Sequence, residues 1–535
     1  MMKKRFSAPV VFVLVIIGIL FGTQVSVVFS GDSILEQSRK LQEVLNITVK
    51  NYVDPVDTQK LVEAAINGML GSLDPHSVYI PAEQMKRVAE DFQGSFEGIG
   101  IEFSIVNDTI TVVQPIGGGP SATLGILSGD KIVRIDGKSA IGFTNDQVMK
   151  SLRGPKGTRV SVTIVREGVK EPLEFTIIRD KIPLYSVDAA IMVNNKVGYI
   201  SVNRFSQTTN EEMVRAIESL RQQGMEELIL DLRSNPGGYL EQAVAMANEF
   251  LSAGRKIVYT KGRRPEFDEA YSSDGKGEAQ NLPLIVLISH YSASASEIVA
   301  GAIQDWDRGL VVGETSFGKG LVQRQYTLSD GSAFRLTIAR YYTPSGRLIQ
   351  RPYESGKGKY ISEAISQEEP EGENIEHHEE RDSTRPVFHT ASGRPVYGGG
   401  GITPDYIVRP DSLTPFTMAL LRKNLFYDYI FSGGRIDLNE IRAEYADNFP
   451  AFRDRYSFSD NEVKDFLRFA KEKGIDVKED QANRDKKFIE ARLKATIARS
   501  IWGNNGWYPI MLKVDNQFAK ALTLFPEAKK VARLR

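Results

Sequence analysis

Leu284-Ile285-Val286-Leu287-Ile288 has no polar position and therefore no face to turn to water. A short run of that kind reads as a buried strand, and the chain holds several more. Val197–Val202, Leu228–Leu232 and Gly309–Gly313 also read as buried strands, broken only by Tyr199, Ser201 and Asp231, and the first two are followed by helical patterns at Glu211–Gln222 and Leu240–Leu251. Strands alternating with helices over residues 183–410 imply an α/β core with loops at the strand ends, where functional residues collect. At 535 residues the chain exceeds what one core can hold, and about three to four domains are expected.

The first segment bears on location. Lys3-Lys4-Arg5 precede an uncharged stretch from Phe6 to Gly31 rich in Val, Ile, Leu and Phe. Positive charge followed by that apolar length predicts an export signal or a membrane anchor in residues 1–31, with the rest of the chain outside the cytoplasm, in the periplasm. Val28-Phe29-Ser30 would suit cleavage, but the uncharged length favours retention, with residues 6–31 holding the chain to the cytoplasmic membrane. Residues 32–92 are helical in pattern, with Leu41, Val44, Leu45 and Val49, then Val62, Ala65, Ile66 and Leu70, at three-to-four spacing. His76, in the turn Leu73-Asp74-Pro75-His76-Ser77, is read as structural.

From 93 to 182 the texture is β-rich, with Thr109–Val113 and Val160–Val165 as strand-like runs. This region resembles a PDZ domain. Gly98-Ile99-Gly100-Ile101 matches the carboxylate-binding loop of that family, Ala122–Ile135 its helix, turn and strand, and Leu152–Gly157 a later turn. Glycines at such a loop expose successive backbone N–H groups to a C-terminal carboxylate, and the strand that follows can pair with an extended peptide. Ile99 and Ile101 suggest a preference for an apolar last residue.

The polar segment near 352–398 carries seven glutamates between Glu368 and Glu380, with His377-His378 among them. Its composition predicts a mobile loop rather than a metal site. Residues 411–535 are helical and charged, with no motif that names a chemistry, so they read as a packing or interaction domain. The N- and C-terminal helices are the candidate surfaces for a second copy or an adaptor. A net charge of −1 gives no field for nucleic acid. The absence of cysteine removes disulfides and thiolate chemistry, and no pattern calls for a cofactor or metal.

The chemistry concentrates at Ser292-Ala293-Ser294-Ala295-Ser296-Glu297, after a buried strand and before an apolar helix. A serine at such a turn is exposed, and the helix N-terminus favours developing negative charge. Helix capping also wants serine here, and for Ser296 capping is the preferred reading. Lys319, framed by Gly318 and Gly320, could serve as a base only if desolvated, because a free lysine titrates near 10.4. Gln323, four residues on, could aim the amine. His290 lies too close along the chain to reach Ser294 comfortably, with no acidic partner evident, so Ser–His–Asp loses to Ser–Lys. Gly313–Gly320 approximates a phosphate-binding loop but ends in Gly320 where a hydroxyl is needed, and Ser316-Phe317-Gly318-Lys319 has a spacing that requires a helix its glycines oppose.

Together with Asp231–Gly238, Tyr342–Gly346 and Gly400–Asp405, these elements resemble the carboxyl-terminal processing peptidases, tail-specific serine proteases with a PDZ domain. The resemblance covers about residues 40–410. It implies a multidomain α/β enzyme: helical N-terminal region, PDZ-like β-rich domain, α/β serine-protease core and helical C-terminal domain. By motif position it implies Ser294 as nucleophile, Lys319 as base and Gln323 as orienting group, with oxyanion donors from the backbone of Ala295 and of a glycine in Pro236-Gly237-Gly238, Gly237 being favoured. Substrates would be proteins or peptides with apolar C-termini, cut through an acyl-enzyme. A catalytically inactive PDZ scaffold or peptide-binding chaperone at the membrane is the alternative reading.

Overall fold

The computed structural model describes residues 33–354, 356–366, 371–375, 385–431 and 435–534. The anchor expectation for residues 6–31 and the pair His377-His378 lie outside them. The chain divides into two compact units, Met1–Tyr79 and Ile80–Arg535. In the first, helices α1 (Ile34–Asn51) and α2 (Thr58–Gly71) carry the expected periodicity, and the Asp57 side chain caps α2 by accepting from Lys60 N–H. Helix α1 buries none of its residues, and Ile34, Leu41, Val44 and Ile47 are exposed. The turn holding His76 is closed by Asp74, whose carboxylate accepts from the N–H groups of His76 and Ser77 at 2.8 Å each. Among the described residues no helix is long and apolar enough to cross a membrane.

The second unit begins with α3 (Ala82–Gln93), which the sequence assigns to the N-terminal helical region. It belongs with the body because Phe92 stacks edge-on against Tyr239 at 5.0 Å and Glu90 pairs with Arg153 at 2.5 Å. Strands β1 (Ile101–Val106), β2 (Thr109–Pro115), β3 (Lys131–Ile135), β4 (Arg159–Val165) and β5 (Leu173–Ile178) follow in a sheet of that order, with β1 at one edge. Helix α4 (Asn145–Leu152) starts in a reciprocal Thr144–Gln147 cap.

The core sheet runs β6 (Val187–Met192), β7 (Val197–Val202), β8 (Glu227–Asp231), β9 (Leu284–Ile288), β10 (Leu310–Gly313), then Tyr406–Ile407 and Gly372–Glu373, in that order. Neighbours from β7 to Tyr406–Ile407 are parallel, and the two outermost pairings are antiparallel. Parallel strands need both faces covered. On one face Leu228, Leu230, Val286 and Val311 pack with helices α5 (Thr209–Gln222), α6 (Leu240–Asn248) and α7 (Ala295–Asp305). On the other, Ile229, Ile285, Leu287 and Val312 pack with Phe518, Ala521 and Phe525 of the last two helices, Asn516–Thr523 and Phe525–Val531, and with Leu524 between them. The C-terminal segment is therefore a layer of the core as well as an appended domain.

The helices before it cover the β1–β2 face. Val106 and Val113 join a cluster with Phe426, Phe431 and Phe466. Glu102 pairs with Arg499 at 3.0 Å, and Asn424 Nδ2 donates to Ser104 Oγ at 3.3 Å. Alternation explains the split, since Ile101 and Phe103 face the domain's own core. In the polar insert, the described parts correct the expectation of a mobile loop. Gly372–Glu373 pairs with Tyr406–Ile407, and the buried Arg394 bridges Asp307 and Asp405 at 2.8 Å each.

Candidate active site

Strand β9 ends at Ile288, and the chain turns through six residues to begin α7 at Ala295. Ser292, Ser294 and Ser296, at the junction of that turn with the helix, have separate uses. Ser292 donates to Leu232 O at 2.8 Å, and Ser296 donates to Asn235 O at 2.9 Å from inside the helix. Ser296 is therefore not the cap, as the sequence suggested, because it sits one residue past the helix start. Ser294 occupies the N-cap position with φ 55 and ψ −109, a left-handed backbone in a residue with a side chain. Such a conformation costs about 1–3 kcal/mol and persists only where its surroundings impose it.

Glu297 imposes it. This carboxylate is wholly buried, and Ser294 N–H donates to its Oε2 at 2.7 Å. Lys319 N–H donates to the same oxygen at 3.0 Å, while Gly318 N–H and Ser316 Oγ donate to Oε1 at 2.7 and 2.5 Å. One side chain thus ties the serine's backbone to the lysine's. Burial pushes the Glu297 carboxyl above the ordinary carboxylate range, opposed by the hydrogen bonds it accepts. The Tyr341 hydroxyl adds a second tie, 3.0 Å from Ser294 O and 2.7 Å from Lys319 O. Lys319 lies in irregular backbone, without the helix that a Ser-x-x-Lys spacing requires. Its Nζ donates to Gln323 Oε1 at 3.2 Å. Gln323 is on β11 (Leu321–Thr327), which pairs with β12 (Ala333–Tyr342) as an antiparallel ribbon bulged at Val322/Gln323.

Ser294, Lys319, Gln323 and Gly237–Gly238 line one cavity of about 920 Å³. A side-chain carbon on Gly237 (φ +97) would stand 2.7 Å from Ala293 O, 2.9 Å from Ser294 Cβ and 3.0 Å from Ala295 N, so only glycine allows this approach. Gly237 N–H, favoured from the sequence as a donor into the site, donates instead to Asn235 Oδ1 at 2.9 Å. Among the described residues the N–H groups of Gly238 and Ala295 have no acceptor. Asn235, fully buried, also anchors the loop by donating to Val202 O at 2.9 Å. Two residues earlier, Arg233 pairs with Asp231 at 2.6 Å and with Asp515 at 2.7 Å, which carries the C-terminal segment to this loop. The Ser294-x-x-Glu297 capping-box spacing could have found Glu297, and Asn235 lies within the Asp231–Gly238 motif, whereas Asp515 has no signal in the local sequence as part of the site.

His290 does have an acidic partner, contrary to the sequence reading: Nε2 lies 3.3 Å from Glu314 Oε1. Parallel pairing of β9 with β10 brings residues 290 and 314 together at the strand ends. Neither lines the cavity that holds Ser294. Gly98–Ile101 lies apart from that cavity's lining. Ile99 O accepts from Ser121 N–H at 3.1 Å and Gly100 O from Ile116 N–H at 2.9 Å, while the N–H groups of Ile99 and Gly100 have no acceptor among the described residues. The Ile99 side chain is buried in the domain core, so it cannot line a pocket for a peptide's last residue. No group of acidic or histidine side chains among the described residues could hold a metal.

Residues 196–354 match the peptidase family S41 model and residues 98–177 the PDZ domain model. Residues 24–84 match the N-terminal domain of the activating protease CtpB, and residues 416–503 a family of unknown function. A carboxy-terminal-processing protease of Bartonella bacilliformis is 42% identical over 319 residues, which are 59% of this chain and 73% of the relative. The chain belongs to the carboxy-terminal processing proteases of peptidase family S41. The carboxy-terminal processing protease CtpA of Bacillus subtilis is 37% identical over 326 residues, covering 60% of this chain and 68% of that one. The photosystem II D1 C-terminal processing protease aligns over 57% of this chain and 82% of its own, at 30% identity and a TM-score of 0.33. As a family member this chain is a serine protease with a PDZ domain.

Proposed function

We propose that this protease cuts with Ser294 as nucleophile and Lys319 as general base, through an acyl-enzyme. The carrying observation is that both side chains line one cavity while Glu297 ties their backbones together. Neutral Lys319 Nζ takes the Ser294 hydroxyl proton as Oγ attacks the scissile carbonyl. Gln323, bonded to Nζ, keeps the amine aimed. Developing charge on the carbonyl oxygen is met by the N–H groups of Ala295 and of the Gly237–Gly238 loop. Of the two glycines Gly238 is the better supported, because Gly237 N–H would first have to leave Asn235. The protonated lysine then passes its proton to the leaving amine, and water releases the acyl group.

Substrate tails are held by the PDZ domain. Their carboxylate takes the N–H groups of the Gly98–Ile101 loop, and their backbone pairs with edge strand β1. The enzyme works outside the cytoplasm, tethered by residues 6–31. The exposed apolar side chains of α1 support docking of the N-terminal helices on a second copy or an adaptor. Cleavage of an unstructured protein with an apolar C-terminus tests the chemistry. Ser294→Ala and Lys319→Ala should each lower kcat/KM by at least about 10⁴-fold. Cleavage by both variants at the wild-type rate overturns the dyad.

A further inference from the structure

Most of the buried arginines in the second unit have a carboxylate or a set of carbonyls. Arg347 has Asp305, Arg394 has Asp307 and Asp405, and Arg308 donates to the carbonyls of Phe250, Ala279 and Leu282. Arg335 differs. It is half-buried in the wall of the catalytic cavity, and among the described residues no carboxylate pairs with it. Its Nε lies 3.4 Å from Gln325 Oε1, and one face of the guanidinium rests on the Phe92 ring at 4.8 Å. Its terminal amino groups have no acceptor among the described residues and are not sealed off. The acidic side chains of the same cavity are turned elsewhere. Asp91 faces Arg204 at 3.7 Å, Glu269 takes the Tyr271 hydroxyl, and Glu241 has no ion pair with Arg335.

The register places this cation relative to the reacting bond. Gln323 pairs with Thr337 and Gln325 with Arg335, so Arg335 shares a ribbon face with Gln323, two residues farther out. Two residues of strand span about 7 Å, which is also about two residues of an extended substrate. A row of contacts bridges the same gap: Tyr239 follows Gly238, Phe92 packs on Tyr239 at 5.0 Å, and Arg335 lies over Phe92. With one face stacked, the guanidinium keeps its edge for a planar, bidentate acceptor. Burial also lowers its pKa, the sign of a cation short of compensation.

We propose that Arg335 is a specificity-determining residue that binds an acidic side chain of the substrate about two residues from the cleaved bond. The inference rests on the proposed Ser294 chemistry for the location of that bond. It supplies the protease with a requirement in the body of the substrate, separate from the one at its tail.

The experiment uses purified full-length protein and quenched fluorescent peptides with an apolar C-terminus, in which a single Glu or Gln is scanned across the four positions on each side of the cut. One position about two residues from the cut should show a kcat/KM ratio for Glu over Gln of about 10-fold or more. That ratio should fall to near one in Arg335→Gln, persist in part in Arg335→Lys, and turn toward Lys-bearing peptides in Arg335→Glu. Because the ratio compares two peptides on one sample, it is independent of the fraction folded. An equal ratio in wild type and Arg335→Gln overturns the proposal. So does a preference that disappears when the peptide's C-terminus is amidated, since the carboxylate read would then be the chain end. Peptide affinity measured in Ser294→Ala separates the two readings: the Glu preference should appear in binding there and vanish in Ser294→Ala/Arg335→Gln, whether or not the dyad is correct.

Discussion

The two walls of the cavity that holds Ser294 and Lys319 are built differently. The wall from β9 and α7 is buried and cross-tied, with the Glu297 carboxylate accepting four hydrogen bonds and Asn235 joining the glycine loop to Val202. The opposite wall is the β11–β12 ribbon, half-exposed and bulged, with Gln323 and Arg335 on its cavity face. A misplacement of 1 Å can cost a reaction about a hundredfold, so on the proposed chemistry the reacting groups belong on a wall that cannot shift. Reading varied side chains tolerates adjustment, and a ribbon edge permits it.

That contrast is sharpest where a substitution strikes the rigid wall. Glu297→Ala would leave three N–H groups and a hydroxyl without their acceptor in a dry site, at about 1–3 kcal/mol each. The expected result is a large fall in melting temperature. In protein that still folds by circular dichroism, kcat should fall by about 10³-fold with little change in KM, and Glu297→Gln should restore only part, because its amide nitrogen cannot accept. A rise in KM together with the fall in kcat would mean that Glu297 supports the whole cavity rather than the reacting groups.

Next comes Gly237→Ala. The added carbon meets Ala293 O at 2.7 Å on a backbone at φ +97, so the turn must move. Loss of oxyanion alignment predicts a kcat reduced by about 10²–10³-fold with peptide binding retained, measured by steady-state kinetics and anisotropy. Retained kcat would show that this wall yields more than its hydrogen bonds imply. On the ribbon the effect should be smaller. Gln323→Ala removes one 3.2 Å contact to Lys319 Nζ and should lower kcat by about 10-fold with an unchanged melting temperature. A fall as large as that of Glu297→Ala would erase the distinction between the walls.

A similar division separates what was legible in the sequence from what was not. The α/β core could be read because an all-apolar run such as Leu284–Ile288 has no solvated face, and the PDZ region because its motifs are local and ordered. Ser294 and Lys319 could be singled out because small residues and glycines at strand ends have few other uses. The acidic partner of His290 was missed because Glu314 reaches it only through the β9–β10 pairing. The C-terminal segment was read as a packing or interaction domain, but not the surfaces it covers, because a charged helix gives no sign of what its apolar side will meet.

Local chemistry in the chain thus settles which residue types can react and which segments must be buried, since backbone conformation and hydrophobic pattern are short-range properties. Tertiary structure decides the rest. It selects one use for each of three neighbouring serines, joins Ser294 to Lys319 through Glu297, and brings Asp515 to Arg233. It also leaves Arg335 in the cavity wall with no carboxylate paired to it among the described residues. Those outcomes depend on pairings between residues tens to hundreds of positions apart, and only the packed sheet and its two helical layers bring such partners within hydrogen-bonding reach.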